Sequence, residues 1–510
     1  MRRSHGAVAL ALLGVTLAAH AATWLRPDWS GTEGQRVLVA HWMVGSGEYL
    51  VPQLGGETQL TKPPLFYWLL AACEHLFGIA RPAARLPALL AIWWCACAAF
   101  GSLARLADRR SAWFAALGVI LAPSVLWHGA FAEIDPVFMA CTTVSVLWMC
   151  EGATTGSTAR LIAAGLVGAA ALLTKGPPYL MFATVPAILV GRGAWRRCAL
   201  GFLPALLVPV GVFLAVFLPA LQHAASATTG QAAQVAATET IGRIGSFDAD
   251  SLLDLPLHLL RALAATLPFG PFAWQAWRCR DTTPLARLER AAVWAFVAAM
   301  LVLAVFPTRP PRYLLPGVPL LAIAAARRMS RWTSAAVDAP AWLRRTLVGL
   351  CVLAAAACAT LPFLSAPVFV RSTIAATLFA LACGTARTRL RALSCVALAT
   401  VLVVSCVVPD RNAVRDRGLR DEETIAGILR DAMHQLGVER FEFWGNPGES
   451  FALVLDPDAH WRDRQSREVT TDWVVARWYD GQQPDLDPDR WVERLRVRGQ
   501  ARCFVLAQRR

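Results

Sequence analysis

Apolar runs of about 20 residues recur along this chain from residue 6 to residue 408, and no other feature limits its fold so strongly. A helix of that length spans about 30 Å, the hydrocarbon thickness of a bilayer. Hydrophobic residues fill 56% of the 510 positions and charged residues only 16%, more apolar surface than a soluble domain can bury. The chain therefore reads as a polytopic membrane protein. Spans are expected over residues 6–24, 84–104, 111–127, 136–150, 160–174, 178–191, 198–219, 256–277, 289–306, 313–326, 346–363, 367–384 and 392–408, about thirteen helices in all. The first run ends in the small residues AAHAA, as a cleaved leader would, but the spans that follow make a retained helix the better reading.

Arginine sets the expected orientation. With the N-terminus inside, the segments "RLADRR" at 105, "GRGAWRR" at 191, "RCRDTTPLARLER" at 278, "AARRMSRW" at 325 and "RTRLR" at 387 all fall on the cytoplasmic side. Only the inner loop near 151 is poor in arginine. The formal charge of +14 is thus a topology signal and not the footprint of a nucleic-acid surface. An odd number of spans places the tail outside, which is the periplasm in a Gram-negative cell. The 13 cysteines lie almost all within apolar runs and form no Cys-x-x-Cys pair, as expected of small buried hydrophobes.

Of 49 basic residues only two are lysine, Lys62 in "LTKPP" and Lys175 in "LTKGPP". A chain that writes arginine wherever any cation will do keeps lysine where a compact, mobile point charge matters. Snorkelling at helix ends is the plain alternative for both. The outward segments carry Lys62, Lys175, Glu33, Glu133, Asp135 and Arg312, which predicts one concave polar site where outer helix ends converge.

Two further helices are expected in the first outward loop, residues 25–83. One, in "EGQRVLVAHWMVGSGEYL", puts Val37, Ala40, His41 and Val44 at helical spacing, as an amphipathic helix on the membrane surface would. The other, "LFYWLLAACEHLFG", is short for a span and starts after Pro63 and Pro64, placing Lys62 at its N-terminal mouth. The tail mixes a helix, "DEETIAGILRDAMHQLG", with strand-like runs "RFEFWG", "SFALVLD", "DWVVARWYDG" and "ARCFVLAQ". The expected fold class is therefore an all-α polytopic membrane module over residues 1–408, followed by a small extramembrane α/β domain over residues 409–510.

The segment "SGEYLVPQLGGETQLTKPPLFYWLLAACEHLFG" resembles the first outer loop of the polyprenyl-phosphate-sugar glycosyltransferases of GT-C fold. The particular likeness is to the aminoarabinose transferases that modify lipid A and to the wider protein-mannosyltransferase-like group. "IDPVF" at 134, "LTKGPP" at 173 and "RYLLPGVPLLAI" at 312 are similar to further landmarks of that group in the same order. The likeness covers most of residues 25–325 and fades in the tail. It implies an inner-membrane enzyme, a hexosyl- or pentosyltransferase, that moves a sugar from a polyprenyl phosphate to an acceptor hydroxyl at the outer face. Lipid A, another envelope glycolipid or a protein would be the acceptor.

That chemistry assigns roles. Cations must neutralise the phosphate that leaves as the glycosidic bond breaks, which suits Lys62, Lys175 and Arg312 with Tyr313 beside it. The acceptor oxygen must lose a proton as it attacks, which suits Glu33 or Asp135 as general base. A divalent metal ion is compatible with the same acids. Each residue also has a plainer reading: Asp135 as a cap for the helix at Pro136, Glu33 as a surface acid, Arg312 and Tyr313 as interfacial anchors, and Glu133 as a solvated loop acid.

The sequence departs from the group's pattern twice. Where relatives carry an Asp-Glu pair followed by Arg-Tyr, this chain reads Thr32-Glu33-Gly34-Gln35-Arg36. Thr61 precedes the lysine where aminoarabinose transferases carry Glu, so lipid A is one acceptor among several. The alternative function is a transporter or flippase of lipid-linked sugars. It would show internal repeats and polar groups buried mid-helix, whereas these spans are rich in Ala, Leu and Val with their charges at the ends.

Overall fold

The computed structural model describes residues 2–26, 29, 32–54, 57–58, 62–191, 195–212, 215, 255–256, 258–259, 262, 266, 269–278, 281–304, 306, 311–333, 424–444, 449–462, 469–479, 486–498 and 502–510. The spans expected over 346–363, 367–384 and 392–408 lie outside this set. Along the chain run helices α1 (Arg2–Trp24), α2 (Glu33–Ser46), α3 (Leu65–Phe77), α4 (Arg81–Leu106), α5 (Arg109–Leu121), α6 (Pro123–His128), α7 (Ile134–Thr155), α8 (Thr158–Lys175), α9 (Pro178–Gly191) and α10 (Trp195–Val212). They continue with α11 (Gly270–Arg278), α12 (Pro284–Ala304), a 3-10 turn (Pro311–Leu314), α13 (Gly317–Thr333), α14 (424–435) and α15 (Glu449–Leu455). The strands are β1 (Gln53–Leu54), β2 (Glu57–Thr58), β3 (Glu442–Trp444), β4 (Trp461–Arg462), β5 (Trp473–Tyr479), β6 (Trp491–Arg498) and β7 (Arg502–Arg509). Among the described residues, α4, α7 and α8 are each long and apolar enough to cross a membrane. The span expected over 111–127 is not one helix. Pro123 drives Ala122 out of the helical region, to φ −58° and ψ 131°, and α5 gives way to α6.

The contacts divide the chain into two compact units: Met1–Trp24, Thr61–Phe66 and Arg85–Asp410 form one, and Leu25–Leu60, Tyr67–Ala84 and Arg411–Arg510 the other. At the centre of the first unit lies α7, buried along nearly its whole length. Helix α8 packs along α7 and α10, α9 against α12 and α7, and α13 along α5 and α12. Small residues allow these approaches, since lipid supplies no hydrophobic drive for helices to associate. A Cβ on Gly165 of α8 would stand 2.5 Å from the carbonyl oxygen of Gly201 on α10, and one on Gly168 would stand 2.5 Å from the Tyr179 hydroxyl. Gly165→Ala should therefore destabilise the protein by about 1–3 kcal/mol, since backbone cannot rotate away. Gly14→Ala in α1, where nothing lies within 4 Å, should be neutral or slightly stabilising. Thermal unfolding in detergent compares the two, and equal midpoints would contradict the packing argument.

One end of this bundle is tied by buried carboxylates held between arginines. Glu151, at the C-terminal end of α7, accepts from Ser102 Oγ at 2.7 Å and from Arg105 at 2.7 and 3.0 Å, with Arg160 at 3.5 Å. Glu289 of α12 accepts from Arg327 at 2.9 Å and Arg328 at 3.0 Å. A buried carboxylate persists only when paired in this way. The loop near 151 is poor in arginine, and Arg105 and Arg160 from neighbouring helices supply its cations.

In the second unit, α2 buries Glu33, Gly34, Arg36, Val37, Leu38, Val39, Ala40 and Met43. This corrects the expected stripe of Val37, Ala40, His41 and Val44: four consecutive buried residues, 37–40, wrap around the helix, so it is packed within protein. Arg36 donates to the Tyr67 hydroxyl at 2.6 Å. Five strands of the tail form one sheet in the order β4-β3-β5-β7-β6, with β3 parallel to β4 and β5, and β7 antiparallel to β5 and β6. Both faces are covered, Val474, Ala476, Val505 and Ala507 on one side and Phe443, Val475, Phe504 and Leu506 on the other. The run "SFALVLD" is a helix and not the expected strand. Phe451 and Leu455 recur at helical spacing, and the Phe451 ring stacks on Phe504 at 4.0 Å. Strand β6 carries no apolar alternation that predicts a strand, because its exposed positions are charged, as suits a sheet edge.

Candidate active site

The central pair of helices builds the site. Helix α7 ends at Gly156, whose φ of 76° favours glycine, and α8 starts at once behind the N-cap Ser157. The two helices are therefore antiparallel neighbours. Counting from that turn, Asp135 lies about 20 residues back and Lys175 about 18 forward, roughly 30 and 27 Å along the axes. They meet. Lys175 Nζ donates to Asp135 Oδ1, with side chains only 10% and 9% exposed. Each also sits where its own helix dipole favours it, the carboxylate in the first turn of α7 and the ammonium in the last turn of α8.

The phrase LTKGPP accounts for the corner. Gly176 takes φ 82°, its N–H caps Leu172 at 2.8 Å, and Pro178 opens α9. A third segment closes over the pair. The 3-10 turn Pro311–Leu314 sets the Tyr313 ring 4.4 Å from Lys175 Nζ, and Phe138, one turn beyond Asp135, stands at 5.5 Å. Thr143 Oγ1 of α7 donates to the Pro316 carbonyl at 3.1 Å, which pins this segment to the central helix. Arg312 adds to the positive field at Asp135. Lys175 and Arg312 bring two basic side chains to this corner, the residue type that holds an anion such as a phosphate. These groups lie at the ends of α7, α8 and α13 opposite the Glu151 and Glu289 clamps.

Of the residues expected to share a site, Asp135, Lys175, Arg312 and Tyr313 come together in the first unit. Lys62, half-buried ahead of α3, belongs to the same unit. Glu33 is the first residue of α2 in the second unit and is fully buried, so the surface-acid reading is overturned. The capping reading of Asp135 also fails: α7 starts at Ile134, Glu133 occupies its N-cap, and the Asp135 carboxylate goes to Lys175. Glu239, a further acid that the outward segment 220–255 would supply, lies outside the described residues. Phe138 as a wall of the site and the Asp135–Lys175 pairing are absent from the sequence expectation; matched helix lengths on either side of Gly156 are compatible with that pairing and do not require it. Among the described residues no group of three His, Cys, Asp or Glu side chains is arranged to hold a metal ion.

Residues 61–223 match the family model described as dolichyl-phosphate-mannose-protein mannosyltransferase. The chain is similar to the undecaprenyl phosphate-alpha-4-amino-4-deoxy-L-arabinose arabinosyl transferase of Shewanella sediminis, 27% identical over 177 residues, 34% of this chain and 32% of that protein. The protein of the same name from Edwardsiella ictaluri is 29% identical over 153 residues, 29% of this chain and 28% of its own. The match thus spans about a third of the length of these relatives. In three dimensions the chain is similar to a crystal structure of ArnT from Cupriavidus metallidurans bound to undecaprenyl phosphate, at 19% identity and a TM-score of 0.70 over 98% of this chain and 97% of that one. The resemblance read from the sequence therefore stands, and the fold is the polytopic, mostly helical GT-C type.

Proposed function

We propose that this chain is an integral membrane glycosyltransferase that moves a sugar from a polyprenyl phosphate to the hydroxyl of a lipid or protein acceptor. The observation that carries the reading is the Asp135–Lys175 pair with Tyr313 above it, in a chain whose fold is that of a transferase crystallised with undecaprenyl phosphate. Arg312 and Lys62 are assigned to the donor phosphate, because Lys175 is already neutralised by its partner. Asp135 accepts the proton of the attacking hydroxyl, and Lys175 holds that side chain aimed. Glu33, buried at the start of α2, is the second candidate base. Lipid A is one acceptor within this class, with Thr61 the departure that argues against assuming it.

The site is assigned to the outer face of the inner membrane, with the N-terminus in the cytoplasm and the tail in the periplasm. Two exposed positions test this: a cysteine at Asp489 in the tail and one at Thr282 between α11 and α12. In a background stripped of native thiols, an impermeant reagent added to intact spheroplasts should label the first and spare the second. The opposite pattern would move the catalytic face to the cytoplasm. The activity itself is tested by transfer from a purified undecaprenyl-phosphate sugar, alongside mass spectrometry of envelope glycolipids and glycoproteins from a deletion strain. A single missing sugar would identify donor and acceptor together, and an unchanged profile would overturn the reading.

A further inference from the structure

Within the second unit, His41 of α2 is held from both sides. Its Nδ1 lies 2.6 Å from Glu74 Oε1 on α3, and its Nε2 lies 3.0 Å from Asp458 Oδ1 in the turn after α15. Both partners are carboxylates. A neutral imidazole carries one N–H, so it can donate to only one of them and must turn a lone pair on the other. The arrangement is satisfied by a ring with two N–H groups, the imidazolium. The same corner is closed by the edge of Trp42 against the His460 ring, centroids 4.9 Å apart, and α15 packs on α2.

We infer that His41 is a proton-operated latch which, when charged, ties the turn around Asp458 to the α2–α3 pair and, when neutral, lets that turn go. The choice of which bond is released follows from exposure. Glu74 is 11% exposed and keeps its bond, whereas Asp458 is 78% exposed and water replaces the ring readily. Other titratable groups face the corner without duplicating the role. His460 meets Trp42 through its ring, His75 shares a hydrogen bond with Tyr49 at 2.7 Å, and Asp456 accepts the Asp458 backbone N–H at 3.0 Å. The Glu74 hydrogen bond, against the opposing effect of burial, raises the His41 pKa above its ordinary 6.5, with Asp458 adding to the rise. A raised histidine pKa means the tie is complete below about pH 6.5 and is lost as pH climbs through the folded value. On the orientation proposed above, acidification of the periplasm would therefore tighten the tail against the loop that bears Glu33, whichever reaction the protein performs.

Hydrogen exchange of the full-length protein in detergent, corrected for intrinsic rates, tests the latch between pH 5.5 and 8.5. Peptides covering 449–460 should lose protection about two- to fivefold as pH rises, the size of one exposed ion pair. Both His41→Gln, which does not titrate, and Asp458→Asn, which leaves His41 and Glu74 in place, should give flat profiles at the weakly protected level. A wild-type profile without pH dependence, or one that both variants reproduce, would overturn the inference.

Discussion

Asp135→Asn should slow sugar transfer by about 100-fold or more, the usual contribution of a general base. The amide keeps the size of the side chain and can still accept from Lys175, so the corner between α7 and α8 loses its ion pair but keeps a hydrogen bond. What disappears is the capacity to take a proton. A purely structural pair predicts otherwise: with Lys175 10% exposed and walled by Tyr313 and Phe138, removing its counter-charge would lower stability, and activity would fall only as far as the folded fraction. The decisive comparison is turnover at saturating donor per folded molecule, read beside the thermal midpoint. Wild-type turnover in Asp135→Asn would remove it from the chemistry and leave Glu33, whose Gln variant should be run in parallel.

The two lysines should part company under the same conservative change. Lys175→Arg places a longer, planar cation in a space bounded by rings at 4.4 and 5.5 Å and by Asp135. Overpacking there should cost about 1–3 kcal/mol of stability together with activity. Lys62 is half-buried, so Lys62→Arg should fold normally. Its transfer rate should still drop about 10- to 100-fold, the kinetic equivalent of a charge-assisted contact of about 1.5–3 kcal/mol to a phosphate oxygen that a guanidinium fork meets differently. Full activity with Arg at position 62 would mean that the residue anchors the loop at the membrane surface and does not touch the donor.

Much of the fold was legible because it is written in short-range pattern. Runs of apolar residues gave the extents of α4, α7, α8 and α9 to within a few residues. Pro63 and Pro64 marked the start of α3, and Gly176 with the following prolines marked the corner after Lys175. Where a run had no period the pattern failed. "SFALVLD" is continuously apolar and reads as a strand, whereas in the fold Phe451 meets the rings of Phe443 and Phe504 from a helix. Strand β6 failed for the opposite reason, since its arginines disguised a strand that pairs along one edge only.

The site divides along the same line. Sequence alone chose Asp135, Lys175, Arg312 and Tyr313, because charge at the end of an apolar run is costly and lysine is rare here. It assigned Asp135 and Lys175 to separate tasks, a proton and a phosphate. Only tertiary structure joined them, since a pairing 40 residues apart depends on how tightly α8 lies along α7, and that closeness needs Gly152, where a Cβ would stand 2.9 Å from Leu161 of α8. Likewise the burial of Glu33 and the bridging of His41 by Glu74 and Asp458 follow from helices and tail packing together over sequence distances of up to 417 residues. Local chemistry determines which groups stand at a helix end; long-range packing, which buries some and pairs others, decides what charge each carries and what it can do.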